Sequence, residues 1–288
     1  MFVGIGVAVV LVAVLGGFAL EHGNVALLWQ PIEMMIIFGA ALGGLFIASP
    51  SHVVKSIFKD LSKVFSSSGI NKERYLALLM LLNSIFYKIK KEGLITIEDD
   101  VDNPGKSKLF QAHQAIMADS EVSVFICDTI RTMITANYPP HEMEALMEID
   151  LETNHHERME SSHAVEKVAD SLPGLGIVAA VLGIVLTMND LGQPAEILGH
   201  HIGAALCGTF LGVLACYGFI GPVAVTLAHR ATERQTYMNV IKTGLLAAYA
   251  SDFMVPFAIE SARRSIPAGE CPSFNEVDEA IKKWKAKS

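Results

Sequence analysis

Apolar and polar positions along this chain fall into separate blocks. Leu172 to Met188, LPGLGIVAAVLGIVLTM, runs for seventeen residues without a charge. At about 1.5 Å per residue, a helix of that length crosses most of a roughly 30 Å hydrocarbon core. Its small residues share one face, because Pro173, Gly176, Ala180, Gly183 and Thr187 recur at steps of three and four. Ile202 to Ala228 is a second uncharged block. Its small residues are Ala204, Gly208, Gly212, Ala215 and Gly218, and its proline is Pro222. Small side chains let helices approach closely in lipid. Two readings stay open at this level: two helices of one chain packing on each other, or two faces lining a path for something else.

The same pattern organises the rest of the chain. Met1 to Leu20 predicts a first span; it lacks a basic leader and an A-x-A site, so it reads as a retained anchor. Glu21 to Gln30 is a polar turn, and Met34 to Ala48, extended by Ile32, is a second span with Glu33 at its edge. Ser66-Ser67-Ser68-Gly69 breaks the polar region that follows. Asn71 caps a helix running to Lys91 and ended by Gly93. Asn103-Pro104-Gly105 is a turn. Helices follow at Ser107 to Asp119, Val122 to Asn137 and His141 to Lys167, with Pro139-Pro140 between the last two. His229 to Ala250 continues the fourth span. Phe253 to Arg264 forms another helix, and a Gly269–Pro272 turn precedes an amphipathic tail from Phe274 to Lys285. Strand alternation is nearly absent. The expected fold class is an all-α integral membrane protein with four transmembrane helices. A helical cytoplasmic domain lies between the second and third, and a helical cytoplasmic tail follows the fourth. The spans fall at about 1–20, 32–49, 171–189 and 201–228; the domains are 1–50, 51–170, 171–228 and 229–288.

Charge sets the orientation. Residues 1–54 and 168–229 contain no Lys or Arg; all 22 lie in the two remaining segments. The positive-inside rule places those segments in the cytoplasm, and four spans then leave both termini inside. The net charge of −8 gives no surface for nucleic acid. The four cysteines lack CxxC spacing and read as apolar fillers or free thiols.

Catalytic signatures are missing: HExxH, the GxSxG elbow, the Walker A loop and the dinucleotide fingerprint do not occur. His155-His156 and His200-His201 are adjacent pairs, about 100° apart on a helix, and make poor metal sites. Glu142, Glu144, Glu148 and Asp150 read as a wet helix face. Neither an enzyme nor a cofactor or metal is expected. A channel needs ionisable groups at membrane depth. The third and fourth spans offer no charged side chain, and their polar groups are of the kind of Thr187, Thr209, Cys207, Cys216 and Tyr217. If ions cross here, the titrating carboxylate comes from another chain, so the sequence points to a multi-subunit complex.

DSLPGLGIVAAVLGIV at Asp170, GTFLGVLACYGFIGPVA at Gly208, DNPGKSKLF at Asp102 and EMEALMEIDLETNHHE at Glu142 resemble the MotA family of flagellar motor stator subunits. The resemblance runs over nearly the whole chain. It implies five copies in a ring around two copies of MotB, a single-span peptidoglycan-binding protein whose intramembrane aspartate carries the ion. It implies that the third and fourth spans face MotB, so Gly176, Gly183, Thr187, Gly208 and Gly212 are expected to be partner-facing. It also implies that ion passage turns the ring against the rotor protein FliG. The family's functional prolines fall on Pro173 and Pro222, which with Ala180 and Thr209 form the expected ion pathway and gate. Its loop charges fall on Lys90 and Glu98, the expected rotor contact; apart from the resemblance these two read as a solvated pair. Lysine here replaces the arginine of the best-known members and loses the planar fork. Sodium-driven relatives place a threonine where Ala180 stands. Sodium needs several oxygen ligands, so a proton is the expected ion. Two rivals remain: an energiser like ExbB or TolQ, with fewer spans, and a membrane scaffold without ion flux.

Overall fold

The computed structural model describes residues 2–64, 69–136, 138–188, 192 and 194–286. All regular structure among them is helical. In chain order the helices are α1 (Phe2–Leu20), α2 (Pro31–Ala48), α3 (Ser51–Val64), α4 (Lys72–Glu92), α5 (Glu98–Asp102), α6 (Lys108–Gln111) and α7 (Gln114–Met117). They continue as α8 (Ser120–Ala136), α9 (Pro140–Met188), α10 (Ala195–Leu214), α11 (Gly221–Ala250), α12 (Val255–Arg264) and α13 (Phe274–Lys285). Residues 66–68 of the expected serine break, and residue 189 at the end of the third span, lie outside the described residues.

Local chemistry explains the ends. The Asn71 side chain accepts from the Arg74 amide, and Gly93, at φ 95°, stops α4 where other residues would be strained. Ser273 and Glu276 form a reciprocal capping box that starts α13.

Three expectations are corrected. The helix expected from Ser107 to Asp119 is two single turns, α6 and α7, interrupted at His113. Phe110 and Ile116 lie about 120° apart on one straight helix; the break lets both enter the same core. The helix expected to end at Lys167 does not end there: α9 passes without interruption into the third span, with Pro173 inside it. The helix expected from Phe253 begins instead at Val255, because Asp252 and Phe253 take left-handed backbone angles of φ 51° and 56°. Phe253 is buried there against Phe86, with ring centroids 6.4 Å apart, and that contact offsets the backbone cost. The polar turn from Glu21 to Gln30 holds a 3-10 turn, Val25–Leu28, capped by Asn24.

The described chain divides into two compact units, residues 1–68 with 156–231 and residues 69–155 with 232–288. In the first, α1 has no buried residue, while α2 buries only Ile37, Ala41 and Leu45. Those three pack with Ala169, Leu172, Ala179 and Ala215 and with α3 through Val53 and Ile57. The Ser162 hydroxyl donates to the Ala224 carbonyl at 2.8 Å, tying α9 to α11. In the second unit, α4 is buried from Leu78 to Phe86 against α8, α11 and α12. A methyl group on Gly244 would stand 2.9 Å from Leu82 and 3.2 Å from Ala262, so glycine sets the spacing of three helices there. α13 is held by a 2.7 Å Lys72–Glu276 ion pair and an edge-to-face Tyr87–Trp284 contact.

Candidate functional site

Four helices among the described residues are long and apolar enough to cross a membrane. The small faces of the last two meet each other. A methyl group on Gly176 would fall 2.7 Å from the Gly208 carbonyl oxygen and 3.2 Å from the Gly212 Cα. On Gly212 it would fall 2.5 Å from the Leu172 oxygen, and on Gly183 it would fall 2.9 Å from the Ala205 methyl. Gly208 lies against Ala179 and the Ala180 amide. Gly176, Gly183, Gly208 and Gly212, expected to face a partner, close a contact between two helices of this chain. Bulky neighbours on the same helices are what remain outward, among them Ile177, Val181, Ile184 and Val185.

Ala180 and Thr187 are buried in the same seam, at 7% and 5% exposure. The Thr187 hydroxyl donates to the Gly183 carbonyl of its own helix at 2.9 Å. Thr209 is half-buried one residue beyond Gly208. Pro173 is half-buried and Pro222 exposed. A π-helical turn, Ala215–Ile220, precedes Pro222. Proline has no amide to donate. The wider turn lets the Gly221 N–H reach the Cys216 carbonyl five residues back. A side chain on Gly221 would stand 2.9 Å from that oxygen. Nothing in the periodicity of the fourth span signalled this turn except the proline. The seam thus brings together Gly176, Ala180, Gly208, Thr209 and Gly212, with a hydroxyl but no ionisable group among them; Pro173 lies next to Leu172, whose carbonyl oxygen meets Gly212.

Lys90 and Glu98 are not paired with each other. Lys90, at the end of α4, donates to the Asp252 carbonyl at 2.9 Å and lies 3.3 Å from its carboxylate. Glu98 is exposed in the first turn of α5. Both side chains are exposed, as a solvated reading expects, but they do not touch each other. Asp252 was invisible to sequence reasoning because it lies 162 positions away.

The second unit carries an ionic cluster that no local pattern announced. Arg234 donates to both oxygens of Asp119, at 2.7 and 2.6 Å, and to Glu121 at 3.0 and 2.8 Å. Arg74 reaches the same Asp119 at 2.7 Å, and both guanidinium groups lie over the Tyr237 ring. Burial works against charge on Asp119, but the Arg234 hydrogen bond and the charges of Arg234 and Arg74 outweigh it and hold the carboxyl below its ordinary range.

The fold and the seam define a helical membrane protein with a polar but non-titrating contact between its last two spans. Residues 4–93 match the model described as Motility protein A N-terminal, and residues 117–240 match the MotA/TolQ/ExbB proton channel family. The chain is 36% identical to Motility protein A of Escherichia coli over 99% of its own length and 96% of that protein's. It is 32% identical to the chemotaxis protein LafT of Vibrio parahaemolyticus, covering 98% and 97%. The chain belongs to the motility protein A family. Its fold is like that of the C. jejuni MotAB structure, with a TM-score of 0.74 at 18% identity, covering 92% of this chain and 95% of that one. It is also like the flagellar MotAB stator complex from Bacillus subtilis, with a TM-score of 0.72 at 18% identity, covering 96% and 98%.

Proposed function

We propose that the chain is an ion-conducting, torque-generating stator subunit of the bacterial flagellar motor. The observation that carries this reading is the glycine seam between the third and fourth spans, which has Thr209 beside it and no carboxylate of its own. The full-length likeness to Motility protein A supports it. The match of residues 4–93 to the motility-specific model weighs against an energiser like ExbB or TolQ.

In this reading the four spans form two hairpins, residues 1–50 and 171–228, in the inner membrane. Residues 51–170 and 229–288 lie in the cytoplasm with both termini. Five copies surround two copies of a MotB-like single-span, peptidoglycan-binding partner, which supplies the aspartate. Pro173 and Pro222 shape the gate, since each removes one backbone donor from a helix that must change form during a stroke. Lys90 and Glu98 meet the rotor protein FliG. Ala180 offers a methyl group where sodium would need oxygen, and one threonine hydroxyl cannot replace a hydration shell, so protons are the ion.

Complementation tests the reading. The chain, expressed with its partner in cells lacking their own stator, should restore swimming that persists when sodium is replaced by potassium and collapses with a protonophore. Swimming that tracks external sodium and survives the protonophore would contradict the ion assignment.

A further inference from the structure

The first unit contains a cleft of about 530 Å³ that the stator reading does not use. It lies between α2, the start of α3 and the part of α9 that precedes Pro173. Its two ends differ in chemistry. On one side Ala40, Gly44 and Ala48 recur one helical turn apart along α2 and leave the helix surface bare. On the other side stand His52, His163 and Lys167, with Glu160 beside them. The Glu160 carboxylate lies 3.5 Å from the His52 ring, which leaves the Lys167 ammonium and the ring N–H of His163 to hold another anion.

The position of the cleft follows from the chain. α2 is a candidate membrane span, and only Ser49 and Pro50 separate its end from the start of α3 at Ser51. Lys167 is the last basic residue before the uncharged stretch of α9. The small-residue end of the cleft is therefore at hydrocarbon depth, and the basic end is at the headgroup level. This placement rests on reading α2 as a membrane span and is independent of ion conduction.

We propose that this cleft is a binding site for one anionic phospholipid. Its phosphate is held by Lys167 and His163, and the upper part of one acyl chain is laid along Ala40, Gly44 and Ala48. Charge complementarity decides for a lipid over a second copy of this chain. A neighbour's apolar helix in the cleft would bury Lys167 and Glu160 without new partners, which is costly. A lipid puts its anion against the Lys167 ammonium and its chain against the smooth helix face.

The test uses the full chain with its partner, reconstituted in nanodiscs of phosphatidylcholine and phosphatidylglycerol, and native mass spectrometry of lipid retained after mild extraction. Phosphatidylglycerol should be retained in preference to phosphatidylcholine. Lys167→Gln should lower its retention about fivefold, as expected for one cation near an anionic headgroup. Gly44→Leu, which fills the apolar end, should abolish retention while the mass of the protein assembly is unchanged. Equal retention of both lipids, or no change in either variant, would overturn the proposal. So would loss of the assembly in Gly44→Leu, which would assign the cleft to a neighbouring copy. Release of the wild-type chain from membranes by alkaline carbonate would instead overturn the span reading beneath it.

Discussion

Gly176 and Gly208 approach so closely that a methyl group on the first would fall 2.7 Å from the carbonyl oxygen of the second. The obstacle is backbone, which cannot swing aside as a side chain can. Gly176→Ala should therefore push the third and fourth spans apart, at about 1–3 kcal/mol for overpacking. Swimming should fall sharply while membrane accumulation falls modestly. Gly174→Ala is the control, since nothing lies within 4 Å of a methyl group there. Equal swimming in the two variants would mean that the seam is not tight in the working protein.

Pro173 sits inside a continuous helix, where it removes one backbone hydrogen bond. Pro173→Ala restores the donor and should stiffen α9. The variant is expected to assemble with its partner in pull-down at the wild-type level and to abolish swimming. Normal swimming would remove Pro173 from the gate.

Lys90 pairs with Asp252 and not with Glu98, so exchanging the two loop charges restores no contact. Lys90→Glu with Glu98→Lys should impair swimming more than either change alone, with ion conduction intact. Thermal stability should barely move, since exposed ion pairs are worth about 0–1 kcal/mol. Recovery of swimming in the double variant would show that Lys90 and Glu98 do pair in the motor.

Two groups in the second unit give stability a dependence on pH. Burial lowers the pKa of His113, whose Nε2 lies 3.0 Å from the Ser84 hydroxyl. A folded value below the unfolded one, about 6.5, means that its contribution is present above that pH and is lost as pH falls through the folded value. Asp119 behaves likewise in a lower window: its contribution is present above about pH 4 and is lost as pH falls through its depressed value. His113→Gln should remove the part of the acid loss that begins near pH 6.5 in a thermal-melt series. Asp119→Asn should destabilise at neutral pH by about 3 kcal/mol, because Arg234 is left buried with one partner fewer. A flat wild-type profile from pH 7 to 5 would contradict the His113 assignment.

Much of the local structure was legible in the sequence. Asn71, Gly93 and Ser273 are strong signals because each satisfies or strains the backbone at its own position, and the helices they bound lie where such signals place them. The apolar blocks were equally plain. The run through Pro173 was not, because a proline marks a boundary by local rules, and the packing of Ala169, Leu172 and Ala179 overrides them. Which partner a small face takes was also beyond reach: the spacing of Gly176 and Gly212 fits a helix of the same chain as well as a helix of another. Contacts such as Arg234 with Asp119, 115 positions apart, leave no periodic trace at all.

The most direct test of the account is proton flux into liposomes containing the purified chain alone, the chain with its single-span partner, and the chain with a partner whose intramembrane aspartate is changed to asparagine. The seam of Gly176, Ala180, Gly208 and Thr209 supplies no titrating group, so flux should appear only with the intact partner. Thr209→Ala should slow that flux without changing the ion. Flux from the chain alone, or undiminished flux with the asparagine partner, would contradict the claim that another chain provides the proton-carrying carboxylate.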